Sequence, residues 1–400
     1  MKTNHFISTS AIALLLALNL LTSGCGKKAE SETTARAAIQ PGADMVAIFD
    51  AEAARKAPIQ KQLEKQQNAA SSLNPLGSRS EELEKKIKEA TGLGDEEFKS
   101  MVVSMNMSNI DFQQTDPEKI IGNMAMSTAF EFTKSITGKQ LKEAADLLLA
   151  EAVKQAQSIK TTITEDEVAG RYMLRLDNVP MNRQPGASGA PGSEISMFFG
   201  LSKNGKVVFI TLNKEHLSAI FDRVEKGQIE NIPQSLAAIA GNLPEETQFQ
   251  LLFAAPEKLK QQIRDHIQET EKKAAEQPGM GMQLGFIKPF EKLQNIAFGT
   301  KFSDKLEMVL LTDLGTSQNA QQVSGMLNGM VVPMISSQFK QNAAGQNKID
   351  FSEMINVTAP GTSVKLEITM TEEMLESAQA LTSPEAAPTG MQKPLKRNNR

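Results

Sequence analysis

Apolar and polar residues alternate with a period of two in several stretches of the chain, and pairs of these stretches are followed by a helical pattern. The clearest pair is residues 195–200 and 207–212, joined at Asn204-Gly205. Both residues of an Asn-Gly turn accept positive φ, so this pattern predicts a tight antiparallel hairpin. Asn213 is a suitable N-cap for the helix that follows. Its apolar face is Leu217, Ile220, Phe221 and Val224.

Three further copies of this strand–strand–helix pattern can be found. Residues 101–107 pair with 124–132 and precede a helix that opens with the capping box Thr137 and Gln140. Residues 296–298 pair with 306–310 before a helix over 316–341, and residues 354–358 pair with 364–370 before a helix opening at Thr371. Unequal spacing argues against a solenoid. The hairpins predict an α+β protein, with antiparallel sheet and helices packed on one side.

The pattern also suggests where the chain divides. A strand restarts at residues 248–253, and Pro256 then opens a long charged helix with Leu259, Ile263 and Ile267 inward. We therefore predict a first α+β half over 41–242 and a second over 243–382, and a duplication relating the halves stays open. The remaining segments are a signal peptide (1–24), a flexible tether (25–40) and a disordered basic tail (383–400).

The N-terminus carries an export signal. Lys2 precedes an apolar stretch over residues 6–21, which is shorter and more interrupted than the roughly 20 apolar residues of a spanning helix. The residues Leu21, Thr22, Ser23, Gly24 and Cys25 then resemble the lipobox of bacterial prolipoproteins. That resemblance covers the first 25 residues and departs from the commonest pattern at Thr22, where Leu is usual. It implies recognition of Leu21, Thr22, Ser23 and Gly24 by a signal peptidase, cleavage before Cys25, and acyl chains on Cys25.

Cysteine usage supports lipidation, because Cys25 is the single cysteine among 400 residues. An unmodified lone thiol would be a liability in an oxidising compartment, and several acyl chains give stable attachment to a bilayer. In the sorting rule of such lipoproteins, aspartate after the cysteine retains the protein at the inner membrane. Gly26 stands there, so the resemblance implies the outer membrane, with the body facing the periplasm.

Composition and motifs predict no chemistry in the mature body. A net charge of −4 with 40% hydrophobic residues indicates a globular chain with no nucleic-acid partner. His216 and His266 each lie on a predicted helix with no partner at metal spacing, and the polar neighbours of His266 predict a solvated helix face there. Residues 200–206 have P-loop spacing, but Val207 stands where Ser or Thr should follow, and Asn204-Gly205 joins two strands. We expect no enzymatic activity, catalytic residue, cofactor or metal.

Methionine is unusually frequent, with 20 residues against 18 Phe and no Trp. Thioether clusters can bind Cu(I), and methionine-rich segments resemble those of periplasmic copper-handling proteins. The pairs Met105/Met107 and Met124/Met126 are favoured as sheet core, because residues two apart in a strand share a face. Met330 and Met334 are predicted on the inward stripe of a buried helix that kinks near Pro333. Met280/Met282 falls in a predicted loop over residues 278–285.

The sequence therefore predicts a membrane-anchored envelope lipoprotein whose body is a non-catalytic structural or interaction module. Its partners would be the lipid bilayer, through acylated Cys25, and an envelope protein or the cell wall. The alternative is a periplasmic carrier of lipid or another hydrophobic ligand, because an antiparallel sheet covered by helices can enclose an apolar pocket.

Overall fold

The computed structural model describes most of the predicted body. It covers residues 34–60, 77–110, 124–155, 161–180, 194–228, 232–276, 280–334, 336–337 and 354–374. Cys25, the lipobox and the basic tail 383–400 lie outside the described residues.

Twelve strands in the described ranges form one antiparallel sheet. They are β1 (Met45–Asp50), β2 (Phe98–Asn106), β3 (Ala125–Phe132), β4 (Thr162–Val168), β5 (Arg171–Pro180), β6 (Glu194–Leu201), β7 (Val207–Thr211), β8 (Phe249–Ala254), β9 (Asn295–Phe302), β10 (Lys305–Asp313), β11 (Ile355–Thr358) and β12 (Ser363–Thr371). Their order in the sheet is β11-β12-β10-β9-β8-β1-β2-β3-β7-β6-β5-β4. The predicted α+β class with antiparallel sheet is confirmed.

The helices connect these strands. They are α1 (Ala51–Lys56), α2 (Gly77–Thr91), α3 (Gly138–Gln155), α4 (Lys214–Glu225), α5 (Gln234–Ala240), α6 (Glu257–Glu276), α7 (Met280–Ile287) and α8 (Ser317–Met326). Short 3₁₀ segments occur at Ala35–Ala38, Asp95–Glu97 and Lys288–Lys292, and a π-helical turn at Leu327–Val331 continues α8.

The predicted hairpin forms, but its connection is not a two-residue Asn-Gly turn. Strands β6 and β7 pair with Leu201 opposite Val208, and of the two turn residues only Gly205 has positive φ, at +71. The Gly205 amide donates to the carbonyl oxygen of Ser202 at 2.9 Å, so the turn spans residues 202–205. A Cβ at Gly205 would collide with the carbonyl oxygen of Ile136, so the position requires glycine for space as well as for conformation. Asn213 caps α4 by accepting a hydrogen bond from the Glu215 amide at 2.7 Å, as predicted.

The other predicted pairings and caps also form. Met105 lies opposite Met126 in the β2–β3 pair, and the β9–β10 and β11–β12 pairs have the predicted partners. The capping box at α3 is present: the Gln140 amide donates to Thr137 Oγ1 at 3.3 Å, and the Thr137 amide donates to Gln140 Oε1 at 3.0 Å.

Helices pack on both faces of the sheet, so the prediction of helices on one side is wrong. Val207 and Val208 are neighbours in β7 and therefore point to opposite faces. Val207 packs in the cluster that contains Leu217 and Phe221 of α4, whereas Val208 packs with Leu141 of α3. We call the α4 side face 1 and the α3 side face 2. Because β7 is covered on both faces, its residues 207–210 read as an apolar run rather than as a clean alternation.

The predicted boundary at residues 242/243 does not separate two sheets. Strand β1 pairs with β2 on one side and with β8 on the other, with Ala47 opposite both Val103 and Leu251. A strand from the beginning of the chain thus joins the two predicted halves, and hydrophobic contact across this seam makes the core continuous.

The edges of the sheet are protected. Strand β4, which sequence analysis did not identify, is an edge strand that carries exposed Glu165, Asp166 and Glu167. The opposite edge, β11, has only four residues, and Asn356 and Thr358 are exposed. Charged or short edge strands discourage pairing with other chains. Because these three consecutive residues are charged, β4 does not show the apolar alternation from which the other strands were predicted.

The tether prediction is wrong for residues 34–40. Ala35, Ala38 and Ile39 are at most 1% exposed and pack on face 1 against the core. Small and polar composition suggested a flexible segment, but small side chains also allow a backbone to lie close against a sheet. Of the predicted tether, residues 26–33 lie outside the described residues.

Two predictions that concern methionines are wrong. Met330 and Met334 are 52% and 54% exposed rather than inward. They lie in and just after the π-helical turn Leu327–Val331, where the wider winding rotates side chains away from the stripe that an ideal α-helix would bury. The predicted loop over 278–285 is also wrong from Met280 onwards, where α7 begins.

Candidate functional site

The lipidation residues predicted from the sequence lie outside the described residues. Cys25 and the recognition residues Leu21, Thr22, Ser23 and Gly24 therefore stay predictions. What the structure adds is the place where the chain that follows Cys25 joins the body, together with two surfaces.

The segment after the anchor is fixed to face 1 at its beginning by Glu131. The Ala35 amide donates to Glu131 Oε2 at 3.0 Å, and Ser100 Oγ donates to the same oxygen at 3.1 Å. Lys99 Nζ lies 2.6 Å from Glu131 Oε1. Glu131 is only 4% exposed, so its charge is compensated by a lysine and by two hydrogen bonds.

The end of the same segment is held by buried hydroxyl groups. The Gln40 amide donates to Ser104 Oγ at 2.9 Å, and Gln40 Nε2 donates to Ser127 Oγ at 3.0 Å. Ser127 Oγ in turn donates to the carbonyl oxygen of Ala38 at 2.6 Å. Arg223 of α4 reaches over the segment and donates to the carbonyl oxygen of Ala37 at 3.1 Å. Residues 34–40 are thus an integral layer between the sheet and α4.

The first surface is a half-exposed apolar area on face 2, which we call the apolar belt. It crosses β10, β9, β8, β1, β2 and β3, and it spans about 24 Å at the usual strand spacing. All its members are partly accessible to solvent, and Leu310 is 36% exposed. They are Phe49, Val103, Phe130, Phe249, Leu251, Phe298, Met308 and Leu310.

Aromatic contacts run through the apolar belt from strand to strand. The Phe298 and Phe249 ring centroids are 5.9 Å apart, and those of Phe249 and Phe49 are 6.5 Å apart. Buried Phe98 continues the series, with centroids 6.4 Å from Phe49 and 6.3 Å from Phe130. These separations lie in the range of favourable ring pairs. The belt is consequently a fixed surface and not a set of independent side chains.

Helices flank the apolar belt on both sides. Leu141 and Ala145 of α3 pack on the β5–β7 side of face 2. Ala320 of α8 and Ile263 of α6 pack on the β11–β12 side, with Leu366 and Ile296. Helix α1 and the residues after it pack on part of the belt itself: Ala51 is in one cluster with Phe49, Val103 and Phe130, and Ala57 and Ile59 are in one cluster with Met308. Within the described ranges, no hydrophobic cluster includes the remaining members, Phe249, Leu251, Phe298 and Leu310.

The second surface is a polar cleft at the N-terminal end of α6, with a volume of about 570 Å³. Lys260 Nζ bridges Glu257 Oε1 at 3.0 Å and Gln294 Oε1 at 2.9 Å. Asp44 is engaged as well, because its Oδ2 accepts from the Met107 amide at 2.7 Å. Lys260, Glu257, Gln294 and Asp44 are thus already engaged in hydrogen bonds. The lining residues are Asp44, Ser108, Ser235, Ala254, Ala255, Pro256, Glu257, Lys258, Lys260, Gln294 and Asn295.

The two histidines do not come together. His266 is exposed on α6, as predicted, whereas His216 of α4 is half-buried and its Nδ1 has no hydrogen-bond partner in the described part of the chain. Within the same ranges, His, Cys, Asp and Glu side chains form no group of three or more suited to a metal ion. Residues 200–206 form the β6–β7 hairpin, so the P-loop spacing there is coincidental.

Shifted pKa values belong to exposed ion pairs and to one tyrosine. A hydrogen bond from Lys88 lowers the pKa of the Glu96 carboxyl, and one from Ser196 lowers the pKa of Asp177, with Arg175 adding to it. Burial raises the pKa of Tyr172, and its hydrogen bond to Glu165 raises that pKa further. Each shift has a local structural cause at the sheet edge or at a loop.

Among the described residues, no helix is both long and apolar enough to cross a bilayer. No protein-family model matches the chain, and no curated protein matches it. Two crystal structures of TP0453 do match. The match to crystal form I covers 87% of this chain and 98% of the TP0453 chain, at 7% sequence identity and a TM-score of 0.31. The match to crystal form IV covers 86% of this chain and 96% of the TP0453 chain, at 8% sequence identity and a TM-score of 0.35. At these TM-scores the similarity supports no argument about function.

The apolar belt was not predicted from the sequence. Residues 248–253 and 296–298 were assigned to strands, and Leu310 was placed in the third copy. Their apolar side chains were expected to be covered by helices. The missing information was the position of β1, because Phe49 joins the aromatic residues of both halves only when β1 lies between β2 and β8.

Proposed function

We propose that the protein is an envelope lipoprotein, anchored through acylated Cys25, whose body is a non-catalytic interaction module. Its place would be the outer membrane, with the body facing the periplasm. The observation that carries the proposal for the body is the apolar belt, since a connected apolar surface of this size on a water-facing domain is typical of a binding site. Burial of such a surface stabilises a complex by about 25 cal/mol for each Å² removed from water.

The occupant we propose is an amphipathic helix of an envelope partner. Helices α3 and α6/α8 cover the two sides of face 2, and α1 with the residues after it covers the belt at Phe49, Val103, Phe130 and Met308. The remaining members, Phe249, Leu251, Phe298 and Leu310, form the gap in that layer among the described residues. A helix with its side chains is about 10–12 Å wide, which is close to the roughly 10 Å that this gap spans across β8, β9 and β10. Helix-in-groove binding uses apolar side chains spaced three and four residues apart, and the Phe and Met side chains of the belt suit that pattern.

A second candidate function is the carriage of a hydrophobic ligand. The belt residues are mostly recessed rather than fully exposed, and they include Phe49, Phe249, Phe298 and Met308. A slender acyl chain could lie along this aromatic floor, with flexible methionine adapting to it. This candidate predicts a co-purifying lipid in native mass spectrometry, whereas a protein partner predicts none.

A photo-crosslinking amino acid at Leu310 should decide between these occupants. Introduced in intact cells, it is expected to trap an envelope protein, because Leu310 is the most exposed member of the apolar belt. The matched control is the same substitution at Met330, which is 52% exposed but lies outside the belt. Masses of the trapped species identify them directly.

Three outcomes of that experiment oppose the helix proposal. Trapped lipid at position 310 would favour the carrier. A crosslink within the same chain would assign the gap to residues of this protein outside the described ranges. Identical products at positions 310 and 330 would remove the belt as a specific surface.

Replacement of Cys25 by Ser should block the attachment of diacylglycerol. Without the thiol no acyl chains can be added at this position, so we expect an uncut or soluble form in place of the cleaved, acylated one. Fractionation of intact cells, followed by mass spectrometry of the N-terminus, measures this. Wild-type processing and partitioning of the Cys25→Ser protein would contradict lipidation, whereas recovery of the wild type at the inner membrane would contradict only the outer-membrane assignment.

A short connection to the anchor would hold the body near the bilayer. Because residues 34–40 are packed in the core, the eight residues 26–33 are what separates Cys25 from the body. A fully extended chain of this length reaches about 30 Å. The chain enters the body beside Glu131 and Lys99, so this end of the sheet would face the lipid.

We also infer that the two halves arose by duplication. In each half three consecutive strands pair side by side, β1-β2-β3 and β8-β9-β10, and the last strand returns to pair with the third, β7 with β3 and β12 with β10. The first strands of the two halves pair with each other antiparallel, which places a pseudo-twofold axis at the β1–β8 seam. The additional hairpin β4–β5 would be an extension of the first half.

A further inference from the structure

Five methionines form one cluster at an end of face 2, although they come from three separate segments of the chain. Met105 and Met107 are buried, and Met45, Met124 and Met126 are partly buried against them. Ile110 and Phe253 complete the cluster. A quarter of the 20 methionines of the chain are thus gathered in one place.

The register of the strands brings three of these thioethers side by side. Met45 of β1 lies directly opposite Met105 of β2, and Met105 lies directly opposite Met126 of β3. Cβ atoms of directly opposite residues are about 4.5–5.5 Å apart on one face of a sheet. Met107 and Met124 lie just beyond the ends of β2 and β3 and pack in the same cluster. Since a methionine side chain has three rotatable bonds, the three sulfur atoms can converge above Met105.

A core alone does not require methionine here. Leu, Ile and Phe have better defined rotamers and specify a packed core more sharply. In addition, Met45, Met124 and Met126 keep partial contact with solvent, so an ion can reach the cluster. The nearest carboxylate in sequence, Asp44, is already engaged by the Met107 amide and by Ser108 Oγ at 3.2 Å. The donors that face the cluster are therefore soft, neutral sulfur atoms.

We propose that Met45, Met105 and Met126 bind a Cu(I) ion, with Met107 and Met124 as adjacent ligands. Thioether sulfur selects soft Cu(I), whereas oxygen donors suit Mg²⁺ and Ca²⁺, and imidazole or thiolate suits Zn²⁺. The site does not depend on the lipid anchor or on the apolar belt. The structure brings together the pairs Met105/Met107 and Met124/Met126 and adds Met45, which sequence analysis did not consider.

The test is the competition of bicinchoninate with the purified full-length lipoprotein in detergent for Cu(I) under anaerobic conditions. We expect the protein to retain one equivalent of Cu(I), with sulfur as the only element bonded to copper in X-ray absorption. The combined variant Met45→Leu, Met105→Leu and Met126→Leu should bind at least about tenfold more weakly. The control variant Met330→Leu with Met334→Leu should bind like the wild type, because these methionines are exposed elsewhere.

Folding can be separated from binding in this experiment. Leu and Met have similar volumes, and such exchanges in a core usually cost less than about 1.5 kcal/mol each. Circular dichroism will show whether the triple variant folds, and Met126→Leu alone, at a half-exposed position, serves if it does not. Unchanged Cu(I) affinity in the folded Leu variants would overturn the site. So would nitrogen scattering in the wild type, or no retention of Cu(I) by the wild type.

Discussion

Replacement of Phe209 by Ala is expected to lower the free energy of unfolding by about 3–5 kcal/mol. Phe209 is in β7, is fully buried on face 1, and its ring meets that of Phe221 edge to face with centroids 5.8 Å apart. Removal of the ring leaves a cavity under α4 and ends that aromatic pair, which alone is worth about 0.5–1.5 kcal/mol. Urea denaturation followed by circular dichroism measures the loss.

The matched control is Phe286→Ala in α7. Phe286 is 37% exposed, so its truncation should change the free energy of unfolding by less than about 1 kcal/mol. The same chemical change at two degrees of burial separates the core from the surface. Equal losses at the two positions would contradict the placement of β7 and α4 at the centre of face 1.

Turns and helix ends were the features of this fold that could be predicted from the sequence. Gly205 fixes the hairpin turn because glycine accepts the positive φ that this position has, and Thr137 with Gln140 fixes the start of α3 because each side chain bonds the amide of the other. Both interactions span at most a few residues. They form in the same way wherever the hairpin or helix lies in the molecule, so pattern alone is sufficient to find them.

Long-range pairing was not accessible in this way. Strand β1 is six residues long and lies between β2 and β8, whose residues are about 50 and 200 positions away. Nothing in its own pattern selects those partners. The prediction of two halves separated at residues 242/243 therefore missed the strand that joins them. The position of helices on both faces of the sheet likewise depends on contacts between distant segments.

The apolar belt and the methionine cluster both depend on that pairing. Phe49 meets Phe249 in the apolar belt, and Met45 meets Met105 in the methionine cluster, only because β1 occupies the central position. From the sequence, each residue is an ordinary apolar position in a strand. The structure converts them into a connected surface and a group of three adjacent thioethers, which are properties of the sheet and not of any one segment.

The N-terminal segment illustrates the opposite error, in which composition suggested flexibility. Residues 34–40 contain three alanines and polar residues, which are common in tethers. In the fold, the alanines allow the backbone to lie against β2 and β3, and Ser104, Ser127 and Glu131 satisfy its polar groups. The relevant signals were buried polar residues on distant strands, which alternation rules assign to solvent.

Replacement of Ile39 by Ala should therefore lower the free energy of unfolding by about 2–5 kcal/mol, whereas a flexible tether would predict almost no change. Ile39 is fully buried on face 1, and Arg223 Nη2 lies 3.4 Å from its carbonyl oxygen. Loss of the side chain should also loosen the docked segment and expose Arg36 to trypsin, since proteolysis follows local opening. Cleavage there would release the body from its lipid. The rate of release from vesicles measures the effect, with Leu310→Ala as the control at a 36% exposed position. Equal release rates and equal stabilities for Ile39→Ala and Leu310→Ala would contradict the packing of residues 34–40 in the core and support a flexible tether instead.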